Sequence, residues 1–353
     1  MALEEPALPA VPEYPSRSPW NSEIEGTRER FLRELGDYSG WKPMGEKQGV
    51  KLWRKYDDVE SANPSNPAFP SLTFVLLHRR ITVSCRTSFH APDVEIQRLV
   101  LADPIPCVRG ETIVKNASPY AMPGMRKLWD PRTELGCMLQ RFSRNEVLFY
   151  AVTKGKRFIA SPRDIVGVQK DYVEEDGSCM IVQKSVETDV APEQSGMRRA
   201  TLDLSGWHFQ PQGEDLKVTY IFRIGLGGMI PNAIVSMATT ETPLCTGRAR
   251  DTFYEYGHAP YIRHTPDEPS TIFQKETFES PPVREYQCTV TTGQQVGETF
   301  EIAYDSRRMY KPEGGVQVAV KGEGLQAVDD GKGTVRVQTT ASGKTATIVL
   351  TPR

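Results

Sequence analysis

The sequence predicts an α+β protein: a curved antiparallel sheet with a helix closing over it, followed by a small all-β sandwich domain. Three observations lead there. Strand-like segments separated by turn residues run at meander spacing between Gly124 and Gly257, at Glu146–Val152, Arg163–Glu174, Ser178–Glu187, Arg198–Phe209 and Lys217–Leu226. After the last of them comes Gly225-Leu226-Gly227-Gly228-Met229-Ile230, and then Pro231 opens a helix-permissive stretch. Proline is suited to a first helical turn, where the missing N–H has no intrahelical partner anyway. Beyond Ser280-Pro281-Pro282, short alternating segments return at Thr299–Tyr304, Val316–Val320, Thr334–Thr339 and Ala346–Leu350, with glycine-rich turns between them.

The elements follow in order. Residues 1–20, with Pro6, Pro9, Pro12, Pro15 and Pro19, lack the basic start and apolar run of a signal peptide and read as a flexible tail. Asn21-Ser22 then precedes Ile24, Phe31, Leu32 and Leu35, an apolar stripe at helical spacing that ends at Gly36, so a first helix is expected over Ser22–Leu35. Trp41–Gly45 and Val50–Tyr56 alternate around Gln48-Gly49 as a hairpin. A Ser/Asn/Pro loop at Ser61–Pro70 and a strand-like Leu72–Val83 read as an insertion. Cys107–Val114 is an alternating strand, and Met125, Leu128 and Trp129 place a short helix inside Pro119–Arg132. The last helix of the first domain, Pro231 to about Tyr256, carries Pro243 in its middle, where the lost hydrogen bond predicts a kink. The first domain is expected over 21–262, a linker over 263–282 and the β-sandwich over 283–353.

Composition removes several function classes. The 353 residues allow about two domains. With 43 basic against 45 acidic residues, no long-range field argues for nucleic acid, and any membrane contact is expected to be local and transient. The six cysteines show no CxxC spacing, which fits reduced thiols in a cytoplasmic protein. The longest apolar runs, such as Phe74–Leu77, are far too short to span a bilayer. None of the five histidines has the spacing of a metal site or a catalytic triad. Gly343-Lys344-Thr345 lacks the leading glycine of a phosphate loop, Gly225-Leu226-Gly227-Gly228 misses the dinucleotide fingerprint, and there is no GxSxG elbow. No catalytic residue, metal or cofactor is expected.

Four pieces stand in an order that carries a resemblance: Gly124-Met125-Arg126-Lys127-Leu128-Trp129-Asp130, Ser161-Pro162-Arg163-Asp164, Ser205-Gly206-Trp207, and Val218-Thr219-Tyr220-Ile221 running into Gly228-Met229-Ile230-Pro231. Together they resemble the START domain, the steroidogenic-acute-regulatory-protein-related lipid-transfer module, over about Ser22–Ile262. The resemblance implies a helix-grip fold in which the sheet and a C-terminal lid helix enclose a tunnel for one lipid, of sterol or phospholipid class, with no covalent chemistry. Sterol-binding relatives place a carboxylate and an arginine as a buried pair in the tunnel. Laying the Ser161–Asp164 motif over theirs puts Tyr150 and Gln169 at those positions, a hydroxyl and an amide that anchor a head group by neutral hydrogen bonds.

The expected ligand contacts are Trp129, Tyr150, Arg163, Gln169, Tyr220, Phe222, Ile234 and Ala238. The expected gate, which meets the membrane, is Leu226, Met229 and Ile230. Partners are the lipid, a transient membrane surface and a protein recruited through 283–353. Two rival functions remain open on this reading: a helix-grip enzyme of cyclase or hydrolase type, and a lipid-sensing adaptor.

Overall fold

The computed structural model describes residues 18–56, 105–119, 122, 125–155, 161–226, 232–263, 270–311 and 314–353. The expected loop Ser61–Pro70, the strand-like Leu72–Val83, and Met229, Ile230 and Pro231 lie outside these residues.

The first part of the chain contains α1 (Asn21–Gly36), β1 (Lys42–Lys47), β2 (Val50–Lys55), β3 (Cys107–Val114), α2 (Arg126–Trp129), β4 (Thr133–Arg141), β5 (Glu146–Thr153), β6 (Arg163–Val173), β7 (Cys179–Ser185), β8 (Arg198–Arg199), β9 (Thr201–Gln212), β10 (Asp215–Gly225), α3 (Asn232–Glu241) and α4 (Cys245–Tyr256). Its strands form one ten-stranded sheet in the order β1-β2-β3-β10-β9-β7-β6-β5-β4, antiparallel except for the short β8, which pairs parallel to β6. Then come β11 (Tyr261–Ile262), β12 (Ile272–Phe278), β13 (Tyr286–Thr291), β14 (Thr299–Ala303), β15 (Val316–Gly322), β16 (Leu325–Asp329), β17 (Thr334–Thr339) and β18 (Thr345–Pro352). They make two four-stranded sheets, β11-β14-β17-β16 and β12-β13-β18-β15, closed around Phe273, Tyr286, Phe300, Ile302, Tyr310 and Ile348.

Side chains alternate between the two faces of a strand, and paired residues share a face. One face of the large sheet receives α1, whose Ile24, Thr27 and Phe31 are buried at helical spacing against Val168, Met180, Val182, Leu204 and Ile221. The other receives α4, whose Cys245, Ala249 and Phe253 pack on Ile181, Trp207, Phe209, Val218 and Tyr220. A glycine admits the helical segment on each side. A Cβ at Gly206 would collide with the Phe31 ring, and one at Gly110 with the Pro243 carbonyl.

Three expectations change. Proline 243 does not merely kink the last helix: the chain leaves helix at Thr242–Leu244, and α3 and α4 are separate. The missing N–H and the ring clash end α3, and the Thr246 hydroxyl takes up the Pro243 carbonyl at 3.0 Å. The stretch expected as a linker contains β12, joined to β13 with a bulge between Phe273 and Lys275. β4 was not expected at all, because bulges at Thr133/Leu135 and Met138/Gln140 put its side chains out of strict alternation.

Candidate functional site

Strand register builds a polar line across the α4 face. Gln169 of β6 pairs with Gln183 of β7, and Gln183 with Ser205 of β9, so the three side chains leave the sheet on the same side. Ser205 Oγ donates to Gln183 Oε1 at 2.9 Å, Gln183 Nε2 to Gln169 Oε1 at 2.8 Å, and Gln169 Nε2 to Asp171 Oδ1 at 3.0 Å. With the single hydroxyl proton of Ser205 used on Gln183, the Tyr220 hydroxyl 3.4 Å away donates to Ser205. Five groups on four adjacent strands thus form one directional chain that ends on a carboxylate, and each amide keeps a second N–H for a guest.

The electrostatics of that end are unusual. Burial pushes the Asp171 carboxyl up to about 6, against the stabilising Gln169 hydrogen bond and Arg141, with Glu276 of β12 adding repulsion. Arg141 stands between the two units, 3.9 Å from Glu276. Burial likewise raises the Tyr220 hydroxyl above its ordinary value, so that it stays a donor.

In front of the Gln183–Gln169–Asp171 end of this chain lies a cavity of about 980 Å³. Val147, Phe149, Gln169, Asp171 and Gln183 border it on the sheet side, with Met125 and Arg126 of the α2 region. Thr277, Phe278 and Gln287 of the C-terminal unit border it opposite. Apolar, hydrogen-bonding and charged groups share its walls, with Arg126, Arg141, Lys275, Glu276, Glu279 and Glu285 among the charged ones.

The residues expected from the sequence are distributed unevenly around this space. Gln169 lies on the cavity face, in the middle of the polar chain. Tyr150 does not share that face. It pairs with Val166, whereas Gln169 pairs with Val147, so the two side chains leave the sheet on opposite sides. Although Tyr150 borders the cavity from β5, its hydroxyl turns to Asp164 at 3.3 Å. Asp164 is fully buried and ion-paired with Arg199 at 2.9 Å. Arg163, its neighbour in the Ser161–Asp164 motif, instead donates to the Ser161 carbonyl and leaves the sheet on the cavity face.

Trp129 and Tyr220 sit in a packed aromatic cluster. Trp129 meets Trp207 edge-on at 5.5 Å, and Trp207 stacks on Tyr220 at 4.3 Å. Phe222 continues the row 5.6 Å from Tyr220. Asp130 is buried, and Arg132 and Arg126 hold its carboxyl below the usual range although burial opposes ionisation. Arg132 also donates to the Thr242 hydroxyl at 2.7 Å, tying α2 to the break between α3 and α4. Ile234 and Ala238 lie on α3. Leu226 packs against Ile165, Ala200, Leu202 and Ile224 at the end of the sheet, and the other two gate residues lie outside the described residues.

Sequence reasoning missed Asp171, Gln183 and Ser205 as a unit. A polar residue in a β-branched strand, such as Gln183 after Met180-Ile181-Val182, is the available signal, but only the register shows which polar residues meet. The glutamate and arginine that do form a buried pair, Arg109 and Glu111, lie elsewhere. Arg109 is 1% exposed, reaches Glu111 at 2.6 Å, and donates to the last carbonyls of α1, Glu34 at 2.8 Å and Leu35 at 3.1 Å. It is a helix cap rather than a ligand group. Among the described residues no helix is long and apolar enough to cross a membrane, and no group of three or more His, Cys, Asp or Glu could hold a metal ion.

Residues 94–257 match the family model described as the START domain. Solved structures with a similar chain path include the human StAR-related lipid transfer protein 5, at 20% identity over 66% of this chain and 97% of that one, with a TM-score of 0.48. Human STARD10 gives 14% identity, 68% and 82% coverage and a TM-score of 0.48. The lipid transfer and protein localization domain of human StarD13 gives 18%, 67%, 98% and 0.44. No curated protein matches the chain in sequence. The large antiparallel sheet with α4 packed on one face has the arrangement expected of a helix-grip fold, and two small β-sheets follow it.

Proposed function

With a START domain over residues 94–257 as the premise, we propose that this chain binds one amphiphilic lipid on the α4 face of its large sheet and carries or presents it between membranes, without covalent chemistry. The observation that carries the reading is the cavity of about 980 Å³ whose wall includes Gln183, Gln169 and Asp171, the carboxylate end of the polar chain that starts at Tyr220 and Ser205.

Burial supplies the affinity. Each methylene moved from water into an apolar cavity contributes roughly 0.8 kcal/mol, so about ten of them contribute on the order of 8 kcal/mol. Release straight into water is correspondingly slow, and unloading needs a membrane, where the lipid passes from one apolar phase to another. Orientation comes from the amides. A head group that can both donate and accept fits a neutral chain better than a bare anion does, because the chain already ends on a carboxylate. This favours a hydroxyl-bearing sterol or the head of a zwitterionic phospholipid.

The gate is assigned to the segment between β10 and α3 together with the Thr242–Leu244 break. A helix already divided at Pro243 can swing one half without losing intrahelical hydrogen bonds. Leu226, Met229 and Ile230 would then touch the bilayer in a cytoplasmic setting.

Native mass spectrometry of the full chain after incubation with phosphatidylcholine vesicles containing cholesterol tests the proposal. The expected spectrum shows one added lipid per chain, and a spectrum of bare protein alone would overturn it. Liposome-to-liposome transfer should slow in Met229→Asp and Ile230→Asp, and unchanged transfer would remove the gate.

A further inference from the structure

The cavity is not closed by the START domain alone. Its far wall belongs to the C-terminal unit, where Thr277 of β12 and Gln287 of β13 pair with each other and border the cavity together. On this sheet Cys288 and Tyr286 point into the sandwich core, so Gln287 and its partner Thr277 point out of it. In an unattached β-sandwich that outer face would meet water.

Two sets of contacts hold it in place instead, one at the end of α4 and one at the β4–β5 turn. At the end of α4, Gly257 takes φ of +81°, and a Cβ there would collide with Asp305. His258 N–H donates to Asp305 Oδ2 at 3.3 Å. Arg308 donates to the Phe253 carbonyl at 3.1 Å, and its guanidinium lies 4.8 Å from the Phe253 ring centre. At the β4–β5 turn, Arg141 faces Glu276 at 3.9 Å, the Arg144 guanidinium covers the Phe273 ring at 5.1 Å, and Arg144 donates to the Arg263 carbonyl. Met125 and Tyr256 pack against the C-terminal core.

From this we infer that the C-terminal β unit is a working wall of the lipid site: its Thr277–Gln287 face covers the head-group end of a lipid whose polar part lies against Gln169 and Gln183. The inference rests on the lipid-binding reading above. It differs from an adaptor role, in which the same unit would recruit a partner and leave the ligand untouched. The Thr277–Gln287 face offers a hydroxyl and an amide, flanked by Lys275, Glu276, Glu279 and Glu285, to the two amides opposite, which suits a polar head group and leaves hydrocarbon to Val147 and Phe149 on the sheet side. Asp171 and Glu276, one from each unit, share Arg141 at the rim, so the charge state of the rim depends on the two units being together.

The test uses the full chain and the same cholesterol-containing phosphatidylcholine vesicles. Thr277→Trp and Gln287→Trp fill the cavity from the C-terminal side and should lower lipid occupancy in native spectra about tenfold, as expected when one wall of a buried site is lost to a competing side chain. Val328→Trp, on the exposed side of β16, should bind like the parent. Because a tryptophan can disturb folding, a second measurement uses Thr277→Cys, a small change. Loading with lipid should slow its reaction with a maleimide about tenfold, the same factor as the occupancy loss, and should leave Val328→Cys unaffected.

The outcomes separate the two claims. A parent chain that takes up no lipid sinks the lipid-binding reading and this inference with it. A parent that loads, with both tryptophan variants loading equally and Thr277→Cys labelling at one rate loaded or empty, leaves lipid binding standing and overturns the role of the wall.

Discussion

The two faces of the large sheet are built from the same strands and solve opposite problems. On the α1 face, charge is neutralised by charge: Arg109 pairs with Glu111, and Lys217 approaches the same carboxylate at 3.3 Å. Asp164 meets Arg199, and Arg30 meets Asp203 at 2.9 Å. On the α4 face the polar side chains of β6, β7, β9 and β10 that meet are amides and hydroxyls in a chain, and the carboxylate that ends it, Asp171, has its pKa raised by burial rather than lowered by an arginine in contact, whereas the ion pair on that side, Asp130 with Arg132, lies beside α2. A buried ion pair locks its surroundings, since removing one member leaves the other stranded. A neutral chain with spare N–H groups is satisfied without a guest and still able to accept one. On this contrast the α1 side is scaffold and the α4 side the proposed site.

The comparison breaks most visibly at Arg109. Arg109→Leu leaves Glu111 buried without its main partner and uncaps α1, at a cost of about 3–5 kcal/mol. Urea denaturation should report that loss, while the molecules still folded should load lipid as the parent does. Gly110→Ala and Gly206→Ala form the next pair, each at about 1–3 kcal/mol, the usual cost of overpacking. At Gly206 the obstacle is the Phe31 side chain, so the effect should be confined to stability. At Gly110 it is the backbone at Pro243, so the α3–α4 break must shift and lipid transfer should change as well.

The site side gives smaller effects with a distinctive sign. Gln183→Leu strands its partners Gln169 and Ser205, costing about 1–2 kcal/mol, and should lower lipid occupancy more than it lowers stability. Asp171→Asn should stabilise. The folded-state pKa is about 6 against an ordinary value of 3.8, so the protonated acid is the form that folding favours. Stability is therefore full below pH 4, falls as pH rises from about 4 through about 6, and stays lower above that. Removing the charge recovers on the order of 1–2 kcal/mol at pH 7, after allowing for solvent screening at a partly exposed group, and almost nothing at pH 4. Thermal unfolding at the two pH values measures this. A carboxylate kept at a cost to stability, on the face that borders the cavity, is what a binding role predicts.

Much of the architecture was legible from local pattern. The β10 alternation and the Ile24/Phe31 stripe each act within one element, and short-range chemistry is what a sequence displays. The site was less legible because it is made of pairings. Gln169 and Tyr150 were named together, but Tyr150 pairs with Val166, three positions from Gln169, and an odd offset sends the two to opposite faces. Gln183, Ser205 and Asp171 each look unremarkable in isolation, and become a chain only when β6, β7 and β9 are adjacent. The C-terminal contribution was hidden for the same reason: Thr277 lay in a presumed linker, and its strand is defined by its bonds to β13.

The most direct test of the account asks where the lipid lies. Full-length protein loaded with a lipid carrying a photoactivatable group near its head would be irradiated and digested, and the modified peptides mapped. The two-face account predicts labels on β6 around Gln169, on β7 around Gln183 and on β12 around Thr277, with none on α1 or around Arg109. Labels on α1 and the Arg109–Glu111 side, with β6 and β7 clean, would contradict it.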